Sequence, residues 1–234
     1  MRDAARGNGF EMKKVKKKKA VRILIADDHF VVRQGLMQII ATQLPDVEFG
    51  EASDGNEALQ AVWNAPWDVL LLDISMPGRG GLDALKEIKL AQPKLPVIVV
   101  SMHSEDQFAI RVLKLGASGY IRKDSAGHEL VAAVAAALAG GRYITPHLAE
   151  KLAVHLSENQ EGLLHEKLSD REYQIMCLIG AGNTVKEIGG ELSLSVKTIS
   201  TYRSRIIEKM NLKNNAQIMR YTLQHGLVDV KSPA

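Results

Sequence analysis

The chain has 234 residues, of which 46% are hydrophobic and 24% charged, with a formal net charge of +3. That length suits one medium domain plus one small one, and a single cysteine, Cys177 in the apolar run "YQIMCLIG", excludes an internal disulfide framework and fits a reducing compartment. With no apolar run of the ~18 residues a membrane span needs and no apolar core behind the basic N-terminus, a membrane span and a secretory signal are not expected, nor is a structural zinc site from seven scattered histidines; a cytoplasmic location follows.

Residues 1 to 20 carry eight Lys/Arg against two acids, including "KKVKKKK" at 13 to 19. They read as a disordered, solvated tail, with a phosphate-binding arm as the alternative. Residues 21 to 145 are acidic on balance, with eleven basic and fifteen acidic residues. Here short apolar runs alternate with segments of helical period. The strand candidates are "VRILIA" (21 to 26), "VEFGEA" (47 to 52), "DVLLLD" (68 to 73), "PVIVVS" (96 to 101) and "GYIRK" (119 to 123). Between them, Val32, Leu36 and Ile40, then Leu82, Leu85 and Ile88, recur at helical spacing. Five strands, each followed by a helix, predict a doubly wound α/β domain with a parallel sheet covered on both faces.

Gly140 and Gly141 stop the last helix of that domain. Residues 146 to 162 begin with a helical pattern and turn polar around Ser157 to Gly162, and read as a linker. Residues 163 to 228 predict a small all-α domain of four helices. "SDRE" (Ser169 to Glu172) and "TVKE" (Thr184 to Glu187) have the form of capping boxes, in which side chains satisfy the free N–H groups of a helix start. A third helix is predicted from about Val196 to Met210 and a fourth from about Asn215 to His225, ended by Gly226. The short "SLS" join between the second and third suits a helix-turn-helix. Residues 229 to 234 form a tail.

In doubly wound sheets, ligands sit beyond the carboxyl ends of the strands. The polar exceptions to the apolar pattern fall at that edge: Asp27 and Asp28 after the first strand, Asp73 at the third, Ser101 at the fourth and Lys123 at the fifth. Adjacent carboxylates repel, and a divalent cation offsets the repulsion. Mg²⁺ takes oxygen ligands, one or two carboxylates plus phosphate oxygens, so Asp28 and Asp73 are candidates to hold it directly and Asp27 through water. Asp73 is then a nucleophile towards a phosphoryl donor, Lys123 a partner for the transferred oxygens and Ser101 a hydrogen-bond donor to one of them. The plainer alternative is that aspartates at strand ends are good turn formers.

"LIADDH", "LLLDISMPG", "VVSMHS" and "GYIRKD" together resemble the receiver domain of two-component response regulators. "LSDREYQIMCLIGAGNTVKEIGGELSLSVKTISTYRSRIIEKMNLKN" resembles the LuxR-type helix-turn-helix, and the order of the two is that of the NarL/FixJ family over roughly residues 21 to 228. The resemblance implies that Asp73 accepts phosphate from a sensor histidine kinase and that Asp27, Asp28 and the backbone carbonyl of Ser75 organise the metal. It also implies that Lys123 contacts the phosphoryl group and that Ser101 and Tyr120 are the switch pair. His29 and His103 read as surface residues, and Pro77 as a loop former.

In "SVKTISTYRSRIIEKM", Val196, Ile199, Ile206 and Met210 are spaced for burial, leaving Lys197, Ser200, Thr201, Arg203, Ser204 and Arg205 to face outwards. The basic residues suit phosphates; Ser200, Thr201 and Ser204 suit base edges in the major groove of double-stranded DNA. The last helix is expected to cover the bundle and to pair with a second copy, giving a homodimer. Gly189 and Gly190 depart from the family pattern, at about 1 kcal/mol each relative to alanine in a helix interior. Two other functions fit parts of the chain: DNA binding gated by protein contacts without phosphate, and a phosphatase with Asp73 as turnover nucleophile. The second lacks a general acid or base beside Asp73, where Ser75 stands, and the chain is not expected to be an enzyme.

Overall fold

The computed structural model describes residues 20–157 and 163–228. The basic tail expected at the N-terminus (1–19), the polar end of the linker (158–162) and the expected C-terminal tail (229–234) lie outside the described residues.

Five strands, β1 (Val21–Ala26), β2 (Val47–Ala52), β3 (Val69–Leu72), β4 (Val97–Ser101) and β5 (Gly119–Arg122), form one parallel sheet in the order β2-β1-β3-β4-β5. The first two have the bounds read from the sequence. The others are one residue shorter at one or both ends, at Asp68, Asp73, Pro96 and Lys123; proline lacks the ladder's donor, while the other three still give their N–H to the neighbouring strand. Alternate residues of each strand face opposite sides. Ile23, Ile25, Leu71 and Val100 pack under α1 (Phe30–Ala41) and α5 (Ala126–Leu138). Leu24, Leu70, Leu72 and Val99 pack under α2 (Gly55–Asn64), α3 (Gly81–Ala91) and α4 (Glu105–Lys114). Burial on both faces is why the central strands β1, β3 and β4 carry apolar runs without alternating polar residues, whereas the edge strand β2 exposes Glu48 and Glu51.

The stretch read as a linker opens with a docked helix, α6 (Pro146–Ser157). Leu148 is fully buried, the Thr145 hydroxyl accepts the Leu148 N–H and donates to Glu105, and His147 and Lys151 both pair with Asp106 of α4. Its apolar side therefore meets the sheet domain instead of solvent.

The second unit comprises a short 3₁₀ turn (Leu164–Lys167), α7 (Asp170–Gly180), α8 (Val185–Glu191), α9 (Val196–Lys209) and α10 (Asn215–Gln224). Both capping boxes form: Ser169 and Glu172 exchange hydrogen bonds at the start of α7, and Thr184 and Glu187 at the start of α8. Every residue from Arg171 to Gly180 is buried, because α7 is covered by its own bundle on one side and by the sheet domain on the other. Lys209 of α9 closes on Glu172 at 2.6 Å, holding the Glu172 carboxyl below the usual range against the opposing effect of burial.

The two glycines of α8 differ. A Cβ on Gly189 would lie 2.8 Å from the Leu194 carbonyl oxygen, so the turn between α8 and α9 closes only over a bare Cα; Gly190 faces open space. Gly190→Ala is therefore expected to raise stability by up to about 1 kcal/mol, and Gly189→Ala to lower it. Urea denaturation of the two variants checks this, and equal effects at the two positions would contradict it.

Candidate functional site

The sheet order reverses between β1 and β3, and this is where the acidic residues gather. Asp27 follows β1 and Asp73 follows β3, both held by backbone hydrogen bonds that continue the ladder: Asp27 N–H to the Ala52 carbonyl, 3.1 Å, and Asp73 N–H to the Ala26 carbonyl, 2.8 Å. The two residues are 1% and 2% exposed. Lys123 arrives from β5, its N–H on the Ser101 carbonyl, and its ammonium lies 2.6 Å from Asp27 Oδ2 and 2.8 Å from Asp73 Oδ2. The other Asp73 oxygen, Oδ1, accepts the Ser75 N–H at 3.0 Å.

Burial raises the Asp73 pKa, with Lys123 opposing and Asp27 adding to the rise. Burial alone would lower the Lys123 pKa, but the two carboxylates outweigh it and keep the ammonium charged. Gly81 starts α3 directly above this point. A Cβ there would sit 2.0 Å from the Asp73 carbonyl oxygen, so only glycine lets the helix begin so close to the aspartate.

Asp28 belongs to the same edge. Asp27, Asp28 and His29 offer ligand atoms all within 4.8 Å of one another, and His29 Nδ1 lies 2.9 Å from Asp28 Oδ1. Asp28 Oδ1 is buried and makes no hydrogen bond, although His29 Nδ1 is nearby, whereas Asp27 Oδ2 is held by the Lys123 ammonium. Hard carboxylate oxygens gathered this closely, one of them buried without a hydrogen bond, fit a divalent cation of the magnesium type.

Ser101 and Tyr120 form a second group, and the residue that joins them is His103. Its N–H donates to Ser101 Oγ (3.2 Å), its carbonyl accepts the Tyr120 hydroxyl (2.8 Å), and its Nε2 lies 3.1 Å from Ser75 Oγ. Burial, and then the charge of Lys123, push the imidazole pKa down to about 4, so it is neutral near pH 7. Reading His103 as a surface residue missed this, because the α4 residue Phe108, whose ring centroid is 4.9 Å away, is what covers it. His29 is exposed, as expected of a surface residue.

In α9, Ile199 and Ile206 are buried, as is Met210 at its C-terminal end, but Val196 is 53% exposed. At the first turn it projects past the bundle, and Tyr202 and Ile207 supply apolar contact instead. Lys197, Thr201, Ser204 and Arg205 are exposed, Ser200 is half-buried, and Arg203 donates from Nε to Asn215 Oδ1 at the start of α10. The hydroxyls of Ser200, Thr201 and Ser204 donate to carbonyls four residues back, leaving their lone pairs outward.

Residues 23–135 match the response regulator receiver domain, and residues 166–222 match the luxR family of bacterial regulatory proteins. The chain belongs to the NarL/FixJ family of two-component response regulators. Response regulator GacA of Pseudomonas aeruginosa is 36% identical over 217 residues, covering 91% of this chain and 100% of its own. UvrY of Escherichia coli K12 is 34% identical over 213 residues, covering 91% and 98%. Among solved structures, RcsB of Salmonella enterica serovar Typhimurium bound to promoter rprA in the presence of phosphomimetic BeF3⁻ superposes with a TM-score of 0.57, at 29% identity over 86% of this chain and 98% of its own. This response regulator thus has a flavodoxin-like receiver and a LuxR-type DNA-binding domain. Among the described residues no helix is long and apolar enough to cross a membrane.

Proposed function

We propose that this response regulator accepts a phosphoryl group on Asp73 from a sensor histidine kinase and thereby controls its binding to promoter DNA as a homodimer in the cytoplasm. The observation that carries the reading is the buried Asp73 carboxylate, fixed by the Ser75 N–H on one oxygen and Lys123 on the other. Such a carboxylate is oriented for attack along one lone pair and is shielded from water. The receiver spans 21 to 145, the linker 146 to 162 and the DNA-binding domain 163 to 228.

Asp27, Asp28, Asp73 and the Ser75 carbonyl would hold Mg²⁺, which when bound neutralises charge on the phosphoryl oxygens. Asp73 attacks phosphorus, the bond to the donor's leaving group breaks, and that group departs with the electron pair. Lys123, already charged, turns its ammonium to the new oxygens. Ser101 gives up its bond from the His103 N–H and donates its hydroxyl to the phosphoryl group; Tyr120 moves into the space left. Lys197, Arg203 and Arg205 contact phosphates, while Ser200, Thr201 and Ser204 read base edges. RcsB on promoter DNA supports the DNA-binding half of this reading.

Intact-mass spectrometry after incubation with acetyl phosphate is the test. One phosphate adduct with Mg²⁺ and none with EDTA is expected; an adduct that forms equally in EDTA would remove the metal from the reading.

A further inference from the structure

The DNA-binding domain touches the receiver beside its chemistry. Gln174 of α7, 2% exposed, donates from Nε2 to the carbonyl of Ile74, the residue after Asp73, at 3.3 Å. Arg171 holds that amide by donating to Gln174 Oε1 at 2.7 Å, and it lies against the bare Cα of Gly80 in the loop before α3. The preceding residue, Tyr173, donates its hydroxyl to the Gln107 carbonyl at 2.6 Å and sets its ring edge-on to Phe108, 5.5 Å between centroids. Phe108 in turn covers His103, the residue that joins Ser75, Ser101 and Tyr120. Arg111 fastens the same seam, donating to Asp170 and to the Leu168 carbonyl at 2.7 Å each.

The outward side chains of α9 remain exposed while α7 is docked. The seam therefore does not work by covering the DNA-reading face. What it does hold are the two loops that must rearrange when Asp73 is phosphorylated: the one after β3 through Ile74, and the one after β4 through Phe108 and His103.

We propose that Gln174 and Tyr173 are positioning residues for the receiver's own reaction: by fixing these loops in their unphosphorylated arrangement, α7 slows phosphoryl acceptance at Asp73. This rests on Asp73 being the phosphoacceptor. By linkage, whatever the docked α7 withholds from the phosphorylated form, phosphorylation withholds from docking by the same factor. The DNA-binding domain is in this way a brake on its own activation, and the brake acts on the chemistry.

The experiment measures the rate of acetyl phosphate phosphorylation in full-length protein with Mg²⁺, by intact mass, for wild type, Gln174→Ala, Gln174→Glu and Tyr173→Phe. Loss of one hydrogen bond across the seam should speed acceptance by about 3- to 10-fold. Gln174→Glu keeps the volume and the Arg171 partner but has no N–H for the Ile74 carbonyl, so it should be as fast as Gln174→Ala. Tyr173→Phe loses a single oxygen and guards against a poorly folded alanine variant. Damage to the receiver lowers the rate, so a gain cannot come from there, and unchanged binding of a promoter duplex shows that the DNA-binding domain has kept its fold in each variant. Unchanged or slower phosphorylation in Gln174→Glu and Tyr173→Phe overturns the inference while leaving Asp73 as phosphoacceptor. No adduct on wild type overturns both.

Discussion

Asp73→Asn protein, incubated with acetyl phosphate and Mg²⁺, is expected to gain no phosphate where the wild type gains one. The substitution is nearly isosteric and keeps an oxygen to accept the Ser75 N–H, so the loop after β3 has its anchor. It replaces the oxygen facing Lys123 with an NH₂ group, which neither attacks phosphorus nor accepts from an ammonium 2.8 Å away. Two donors then face each other in a buried site, and a cost of about 1–3 kcal/mol in stability is expected beside the loss of function. Urea denaturation reads the stability loss and intact mass the chemical one. An adduct of wild-type stoichiometry on the variant would move the phosphoacceptor elsewhere.

Lys197→Ala and Arg205→Ala are expected to weaken binding to every DNA sequence alike and each to flatten the dependence of log affinity on log salt by about one. Both side chains are exposed on α9 and have no carboxylate partner among the described ion pairs, so removing either leaves no buried charge behind. Ser204→Ala should behave differently, altering preference among sequences with little change in the salt slope, because a hydroxyl releases no counterion. Fluorescence anisotropy on a promoter duplex and a scrambled duplex between 50 and 200 mM salt, roughly the range over which counterion release is large, separates the two. A salt slope unchanged in Lys197→Ala and Arg205→Ala would take those residues off the DNA.

Much of this was legible in the sequence, for identifiable reasons. Strands buried on both faces leave apolar runs, so β1, β3 and β4 stand out. Asp27, Asp73, Ser101 and Lys123 stand out because each breaks such a run at its carboxyl end. Capping boxes are local, and both formed. Long-range neighbours were not legible. His103 carries no sign of its surroundings, since Phe108, Ser75 and Tyr120 come from three other elements. Tyr173 and Gln174 lie in a run that reads as the core of its own bundle, and nothing in it says that one side meets a different domain. Val196 has the spacing of a core residue but precedes the point where the bundle begins to cover α9. The helical start of the linker was visible, whereas its docking on α4 depended on Asp106 and Glu105 far back in the chain.

That docking limits how far the two domains can separate. With α6 fixed to the receiver, five residues, 158 to 162, join Ser157 to Leu163, and their contour cannot exceed about 20 Å. A DNA-binding domain released from the seam therefore stays at an effective concentration on the order of millimolar or more. At that concentration an interface with a dissociation constant of roughly 0.1 mM, far too weak to hold separate proteins together, is occupied about nine-tenths of the time. Phosphorylation then has to shift the equilibrium by only about 2–3 kcal/mol to reverse the populations. The tether lets a seam of a few hydrogen bonds keep the resting protein closed and still yield to one phosphoryl group.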